Sequence, residues 1–373
     1  MGSFNSMDLV ILLGVAQGLF LAITLPMVHR TNTHANTILS MQIAMACLVL
    51  FAKVAIFKAE QYWVIQRAFL LEPFIFLYGP LGYIYLKRLL EKGSEKYRLH
   101  WVHYIPALIY LAYLVYLNVL PTEVFANKWS GGDLGVPFFL AELLALVHNC
   151  IFWYFCGQLI FNYHQRETSQ LSFVQQTTSF IRAIHILVGF ILFLWMLSFL
   201  NGYYLKFGFW YINYDMVWIG IPVLIYIVGY YALRQPEIFR IQIDTKIDKG
   251  IIKQRLPESE IEILKSKLEG LIETEKVYLK NELTLTDLSQ ELDTTTNNLS
   301  WLLNNIYQSN FYEFINKYRI EAFLKKIRNN EHATRTLLSL SLEVGFNSKS
   351  TFNKAFKSVL NDTPSNYIKK MGV

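Results

Sequence analysis

Residues 336–367 read TLLSLSLEVGFNSKSTFNKAFKSVLNDTPSNY, and this stretch decides which fold the carboxyl-terminal part of the chain adopts. A short apolar segment leads to Gly345, which has the backbone freedom that a tight turn needs. After the turn, Ser348 is placed to cap a second helix. Phe352 and Phe356 lie four residues apart and therefore share the buried face of that helix. The pattern predicts two short helices joined by a turn.

An upstream stretch, residues 283–305, has the same organisation and reads LTLTDLSQELDTTTNNLSWLLNN. Thr295 is placed to cap its second helix, and a connecting helix that begins near Phe311 joins the two units. A helix-turn-helix places its second helix in the major groove of DNA while the first crosses the phosphate backbone. Residues 281–373 are therefore predicted to form an all-α DNA-binding domain with two helix-turn-helix units.

The motifs of this region resemble the DNA-binding domain of AraC-type (AraC/XylS) bacterial transcription regulators over residues 283–370. The resemblance is carried by Val344-Gly345-Phe346, Ser350, Phe352, Ala355-Phe356-Lys357, Asp362-Thr363-Pro364-Ser365, Tyr367 and the segment 311–320 with Arg319. Gln308 and Asn361 depart from the family pattern, since glycine usually stands at both positions, and Asn tolerates a left-handed backbone better than Gln. The resemblance implies binding to double-stranded promoter DNA, activation or repression of transcription, and contact with RNA polymerase.

The candidate DNA contacts lie on the second helix of each unit. In the second unit this helix is expected to run from about Ser348 to Val359, with Asn353 and Lys354 contacting bases or phosphates. Lys349 and Lys357 are expected to position the phosphate backbone. The alternative is an ordinary solvated helix face. The full candidate set is Thr296, Asn297, Asn298, Ser300, Trp301, Asn304, Lys349, Ser350, Asn353, Lys354 and Lys357.

Trp301 stands where the family usually has a polar or basic residue. Its indole can stack or wedge against DNA, or it can fill a gap against the connecting helix, and the sequence favours neither. Basic residues exceed acidic ones only slightly from 281 to 373, so weak binding per monomer with a marked salt dependence is expected. Two tethered copies would raise the effective concentration at paired sites.

The rest of the chain is strongly apolar. Its 373 residues are 53% apolar, 16% aromatic and only 17% charged, against about 25% charged in an ordinary soluble domain. Seven apolar runs approach or exceed the roughly 20 residues that a bilayer demands. They cover about 8–28, 37–57, 64–90, 101–120, 136–162, 184–205 and 211–233. A seven-helix transmembrane domain is predicted for residues 1–233, with a first span that is retained and not removed as a signal peptide.

Loop charge sets the expected orientation. The loop after the third span is rich in basic residues, namely Lys87, Arg88, Lys92, Lys96 and Arg98, and alternate loops are poorer. Basic loops stay in the cytoplasm, so the amino terminus is expected outside and the carboxyl terminus inside. The predicted location is the bacterial cytoplasmic (inner) membrane, with lipid around the spans and the DNA-binding domain facing the chromosome.

Residues 234–280 are predicted to be a juxtamembrane linker that includes an amphipathic helix. Ile261, Leu264, Leu268 and Leu271 keep coiled-coil spacing, but Glu275 breaks a run that is too short for a coiled coil to be assigned. A helix packed on the DNA-binding domain is the favoured interpretation. A dimerisation helix that passes a signal inward is the alternative, and a homodimer is expected in either case.

Ionisable residues inside the spans are costly and usually have a function. Glu72, Glu142 and His148 are the candidate lining of a ligand pocket, although Lys53 can instead pair with a carboxylate to hold the bundle together. No metal site is predicted, because the histidines lack the spacing of metal ligands. No cofactor and no catalytic constellation are expected either.

These observations predict a membrane-embedded one-component transcription factor that is not an enzyme. An unknown small molecule or membrane condition would act on the spans and alter promoter binding. One alternative is a transporter or membrane enzyme with a regulatory tail, and another is a constitutive regulator that its spans merely anchor.

Overall fold

The computed structural model describes residues 5–28, 33–91, 93–94, 96–172, 176–205, 213–234 and 257–370, and these are almost entirely helical. The helices are α1 Ser6–Val28, α2 Thr33–Lys58, α3 Tyr62–Ala68, α4 Tyr78–Leu90, α5 Ile105–Val119, α6 Thr122–Ser130, α7 Gly135–Gln170, α8 Gln176–Leu200, α9 Tyr214–Arg234, α10 Glu258–Glu273, α11 Leu285–Glu291, α12 Thr296–Asn305, α13 Phe311–Arg328, α14 Leu337–Glu343, α15 Lys349–Leu360 and α16 Pro364–Lys370. Within the described ranges, one isolated antiparallel bridge joins Leu171 to Thr284. The predicted all-α class is confirmed.

The chain divides into two compact units. The membrane-type unit comprises Met1–Phe161 and Gln176–Asp244, and the helix-turn-helix unit comprises Asn162–Gln175 and Thr245–Val373. Residues 235–256 of the predicted linker (234–280) lie outside the described residues.

The membrane-type unit contains a helix at each of the seven predicted spans. Among the described residues, five helices are long and apolar enough to cross a bilayer, namely Ser6–Met27, Thr33–Lys58, Trp101–Val119, Gly135–Gln170 and Phe180–Tyr204. The third predicted span consists of two helical segments, Tyr62–Phe76 and Tyr78–Leu90, with a bend of 41° between them. If this pair crosses the bilayer as one span, the number of candidate spans rises to six. The seventh, within α9, has a shorter apolar stretch, Asp215–Tyr231.

Small residues and one ion pair hold α1 against its neighbours. A methyl group added to Gly14 would lie 2.5 Å from Cβ of Pro222, so the backbones of α1 and α9 approach more closely than a larger residue would permit. Such close approach is typical of helix packing in membranes. Asp8 at the start of α1 pairs with Lys58 at the end of α2, at 2.8 Å. The start of one helix lies beside the end of the other, as in an antiparallel helix pair.

Helix α13 is shared by the two halves of the helix-turn-helix unit. Its first turns, including Phe311 and Ile315, are buried in a core formed with α10, α11 and α12. Its later turns, including Phe323 and Ile327, are buried in a second core formed with α14, α15 and α16. One continuous helix therefore fixes the two helix-turn-helix elements relative to each other.

Helix α10 packs its apolar face into the first of these cores. Ile261, Leu264, Leu268 and Ile272 are all buried there, which is the favoured interpretation of the amphipathic helix. The compact unit around the DNA-binding motifs consequently begins before residue 281 and includes α10.

Several residues of this unit have a positive φ, and three of them bear on the helix-turn-helix elements. Gln308 (φ 49°) and Asn361 (φ 54°) keep the conformation that glycine adopts most readily. Gly345 (φ 97°) occupies the turn of the second unit, where an added Cβ would lie 2.6 Å from the Tyr278 carbonyl oxygen and 2.9 Å from Nε of Arg319. Glycine is required at this turn by both its torsion angle and its surroundings.

We expect Gly345→Ala to lower the free energy of local opening around α13 and α14 by about 2–5 kcal/mol, combining backbone strain with overpacking. Hydrogen exchange of the full-length protein in detergent measures this. The matched control is Gly270→Ala in α10, where the new methyl meets nothing within 4 Å. That variant should be stabilised by about 0.5–1 kcal/mol. Equal protection in both variants would contradict the assignment of Gly345.

Candidate nucleic-acid interface

Helix α15 presents one polar face and one buried face. Thr351, Phe352, Ala355 and Phe356 are buried, and the Phe352 and Phe356 rings lie 5.7 Å apart. The opposite side consists of the five candidate DNA contacts of this unit, all of them exposed, namely Lys349, Ser350, Asn353, Lys354 and Lys357. Their spacing along the helix brings three cationic groups and one amide to a single surface.

The start of α15 is fixed by its cap. Oγ of Ser348 accepts a hydrogen bond from the Thr351 backbone N–H at 3.2 Å, which confirms the predicted cap. At the other end, Asn361 closes the helix in a left-handed conformation. The helix is therefore held at both ends, and its polar face has a defined orientation.

Helix α12, the corresponding helix of the first unit, carries its polar side chains differently. Thr295 caps it as predicted, accepting from the Asn298 backbone N–H at 3.2 Å. Asn304 is exposed, but its amide donates to the Ser300 carbonyl oxygen of its own helix at 2.8 Å. Thr296, Asn297, Asn298, Ser300 and Trp301 are half-buried. The face of α12 is thus less accessible than that of α15.

Trp301 packs against the first core while remaining partly exposed. Its indole nitrogen is buried without a hydrogen-bond partner among the described residues. The packing supports the interpretation in which this side chain fills a gap, although its outer edge stays available at the surface.

Arg319 of α13 is the centre of the unit, a role that the sequence did not predict. The side chain is 0% exposed, and its guanidinium donates to main-chain carbonyls: Nε to Tyr278 at 2.7 Å and Nη2 to Lys280 at 2.8 Å. Nη1 donates to the Ser172 carbonyl at 3.2 Å. Burial lowers the pKa of Arg319 to about 10, so the group remains charged at neutral pH.

Lys354 lies close to α13 as well as on the exposed face of α15. Its Nζ is 5.7 Å from the centroid of the Tyr312 ring, a cation–π distance. Burial raises the pKa of Tyr312 to about 12, with opposing influences from Arg319, which lowers it, and Glu167, which raises it. The position of the Lys354 ammonium group, a candidate DNA contact, is therefore influenced by Tyr312 of α13.

The three candidate ligand residues lie in the membrane-type unit. Glu72 is paired with Lys53 at 2.7 Å and accepts from the Tyr110 hydroxyl at 3.0 Å. Glu142 accepts from Nε1 of Trp195 at 2.8 Å. The His148 ring lies against those of Phe76 and Phe152, at 6.3 and 5.1 Å between centroids.

These contacts separate the three candidates. The ion pair of Glu72 matches the alternative in which Lys53 and a carboxylate hold the bundle together. His148 differs, because its Nε2 is buried without a hydrogen-bond partner among the described residues. His148 therefore retains unused hydrogen-bonding capacity at a buried ring nitrogen. Across the described ranges, no group of three or more His, Cys, Asp or Glu side chains is placed to hold a metal ion.

Comparison with known proteins identifies the helix-turn-helix unit. Residues 288–370 match a family described as a helix-turn-helix domain, and the match covers most of α11 and all of α12 to α16. It confirms the resemblance predicted for residues 283–370. No curated protein and no solved structure matches the chain.

We expect Asn353→Ala and Lys357→Ala to weaken DNA binding in different ways. Loss of the Asn353 amide should remove about 1–3 kcal/mol of discrimination at one base pair. Loss of the Lys357 charge should weaken binding to all sequences and reduce the salt slope by roughly one unit. Titration of the full-length protein with specific and scrambled duplexes at several salt concentrations separates the two effects.

Lys369→Ala, which removes an exposed lysine from α16, is the charge-matched control. It should leave both sequence preference and salt slope unchanged. Identical losses in Lys357→Ala and Lys369→Ala would show that only net charge matters, and the face of α15 would lose its assignment.

Proposed function

We propose that this chain, whose residues 288–370 form an AraC-type helix-turn-helix domain, is a DNA-binding regulator embedded in the bacterial cytoplasmic membrane. It would bind promoter DNA sequence-specifically and respond to a signal received by its spans. In this proposal the chain has no enzymatic activity of its own.

One observation carries the proposal. Two capped helix-turn-helix elements share α13 in one compact unit. The part of the chain that the structure describes also supplies five, or up to six, helices of membrane-spanning length and apolarity. A soluble regulator has no need of such helices, since apolar surface of this extent would aggregate in water. A transporter has no need of a DNA-binding unit.

The proposed orientation places the amino terminus outside and the helix-turn-helix unit in the cytoplasm. It is supported by the basic residues that follow the third span, of which Lys87 and Arg88 lie in the last turn of α4. Arg88 donates to the His34 and Tyr97 carbonyl oxygens at 3.1 and 2.8 Å, so its charge also ties together the chain segments at that end of the unit.

For the signal, we propose a polar site among the spans that includes Glu142 and His148, with Glu72 held by Lys53 beside it. The unused Nε2 of His148 supports a ligand that offers a hydrogen-bond donor or acceptor. Such a ligand can alter DNA binding only through a different affinity for the two states of the protein.

We further propose that the regulator acts as a homodimer and contacts RNA polymerase when it activates transcription. The helix-turn-helix unit has only a slight excess of basic residues, so a single copy is expected to bind DNA weakly. This supports dimerisation, because two weakly binding copies held together bind paired DNA sites far more tightly than either copy alone. Activation and repression are both consistent with these contacts.

The proposal is tested in cells that carry a reporter fused to the region upstream of the gene for this protein. The intact chain should fractionate with membranes and change reporter output, whereas Asn353→Ala should fractionate equally and lose the effect. Protease should digest residues 257–370 only in inside-out vesicles, because the unit faces the cytoplasm.

Replacing the spans by an unrelated bundle with the same orientation separates sensing from anchoring. A sensor should lose its response to growth conditions while DNA binding persists, and a passive anchor should show no change. Digestion in right-side-out vesicles, or reporter output that ignores Asn353, would refute the proposed regulator. Uptake or turnover by vesicles that lack residues 257–373 would favour a transporter or enzyme instead.

A further inference from the structure

Helix α7 is longer than a membrane span requires. Its 36 residues correspond to about 54 Å at 1.5 Å per residue, whereas a hydrocarbon core of about 30 Å needs about 20 residues. The helix begins in the membrane-type unit, but Asn162–Gln175 belong to the helix-turn-helix unit. We call residues 162–172 the α7 tail.

The α7 tail pairs with the strand-like segment that precedes α11. Leu171 forms the antiparallel bridge with Thr284, which is the cap residue of α11. Ser172 donates to the Leu283 carbonyl oxygen twice, from its backbone N–H at 3.3 Å and from Oγ at 2.7 Å. Leu171 and Ser172 are both buried, so this pairing belongs to the interior of the unit.

The carbonyl of Ser172 also completes the buried polar network of α13. It accepts from Nδ2 of Asn316 at 2.9 Å and from Nη1 of Arg319 at 3.2 Å. Asn316 and Arg319 are fully buried and bonded to each other at 3.3 Å. Buried donors of this kind need acceptors, and a residue 144 positions away from Asn316 supplies one.

The same tail carries a buried carboxylate in the neighbourhood of Tyr312 of α13. Glu167, which is fully buried, pairs with Nδ1 of His164 at 3.1 Å, and its carboxylate acts electrostatically on Tyr312. Lys354 lies over the ring of that tyrosine. The α7 tail and Lys354 therefore have a common neighbour in Tyr312.

The hydrogen bonds of the docked tail can be replaced by water. Ser172 takes part in four hydrogen bonds across this junction. The net contribution of such a bond is small, because water takes the place of the partner that is lost. On release, water can solvate Asn316 and Arg319 in place of Ser172, so the contact is reversible.

We propose that the α7 tail is an autoinhibitory latch, which in its docked state restrains the DNA-binding surface and which α7 can withdraw. This inference rests on the proposed function, because it assigns the regulation of the same DNA-binding unit. The latch gives the spans a route to α11, α13 and α15 that is separate from the linker at residues 235–256.

A cysteine cross-link tests the latch in the full-length protein. Leu171 and Thr284 are opposed in a bridge whose neighbours Ser172 and Leu283 carry the hydrogen bond. Such pairs have Cα atoms about 4.5 Å apart, which a disulfide can span. Leu171→Cys and Thr284→Cys are introduced together into a parent whose three native cysteines, Cys47, Cys150 and Cys156, are replaced by alanine.

The probe is a duplex from the region upstream of the gene, titrated against protein in nanodiscs. We expect mass spectrometry to find the peptides containing positions 171 and 284 joined after mild oxidation. The oxidised double variant should bind the duplex roughly tenfold more weakly than its reduced form. Each single variant should be indifferent to oxidation, which controls for loss of the Thr284 cap.

A second pair of variants tests release without a cross-link. Leu171→Asp places a charge at a buried position of the tail and should raise affinity for the duplex roughly five- to tenfold by undocking it. Gln165→Asp adds the same charge at an exposed position of the tail and should leave affinity unchanged.

The outcomes separate the latch from the proposed function. Absence of the cross-link refutes docking, whatever the DNA result. A cross-link that forms while oxidised and reduced proteins bind DNA equally, or while oxidation strengthens binding, refutes autoinhibition and leaves the regulator intact. A cross-linked protein that binds no duplex in either form refutes the proposed function, and the latch with it.

Discussion

The helix-turn-helix unit depends on a guanidinium that is buried without a carboxylate partner among the described residues. Arg319 is satisfied chiefly by main-chain carbonyls of Tyr278, Lys280 and Ser172. Carbonyl dipoles compensate a buried charge only when their geometry is fixed. The charge therefore positions three separate chain segments around α13. Gly345 must lack a side chain, because Arg319 and Tyr278 occupy the space beside it.

This arrangement makes α13 the central helix of the unit. Helix α13 contributes side chains to both cores. A displacement of its middle turns would therefore change the packing of α12 and of α15. The α7 tail is hydrogen-bonded to Asn316 and Arg319 of this helix.

Much of the fold and part of the candidate site could be predicted because they depend on local rules. The caps at Thr295 and Ser348 follow from hydroxyl side chains at helix starts, and the exposed face of α15 follows from the spacing of Phe352 and Phe356. The spans follow from uninterrupted apolar length. The accessibility of α12 could not be predicted this way, since the half-burial of Trp301 depends on how the first core packs.

The sequence by itself determined that this protein is all-α, that its amino-terminal helices have membrane length, and that a tandem helix-turn-helix ends the described chain, because periodicity, length and capping are encoded in neighbouring residues. Only the tertiary structure decided that Lys53 pairs with Glu72, that α10 completes the first core and that Arg319 is a buried hub. The acceptors of Arg319 lie 41, 39 and 147 positions away. No local pattern records such pairings, because a carbonyl group looks the same at every residue until folding brings it to its donor.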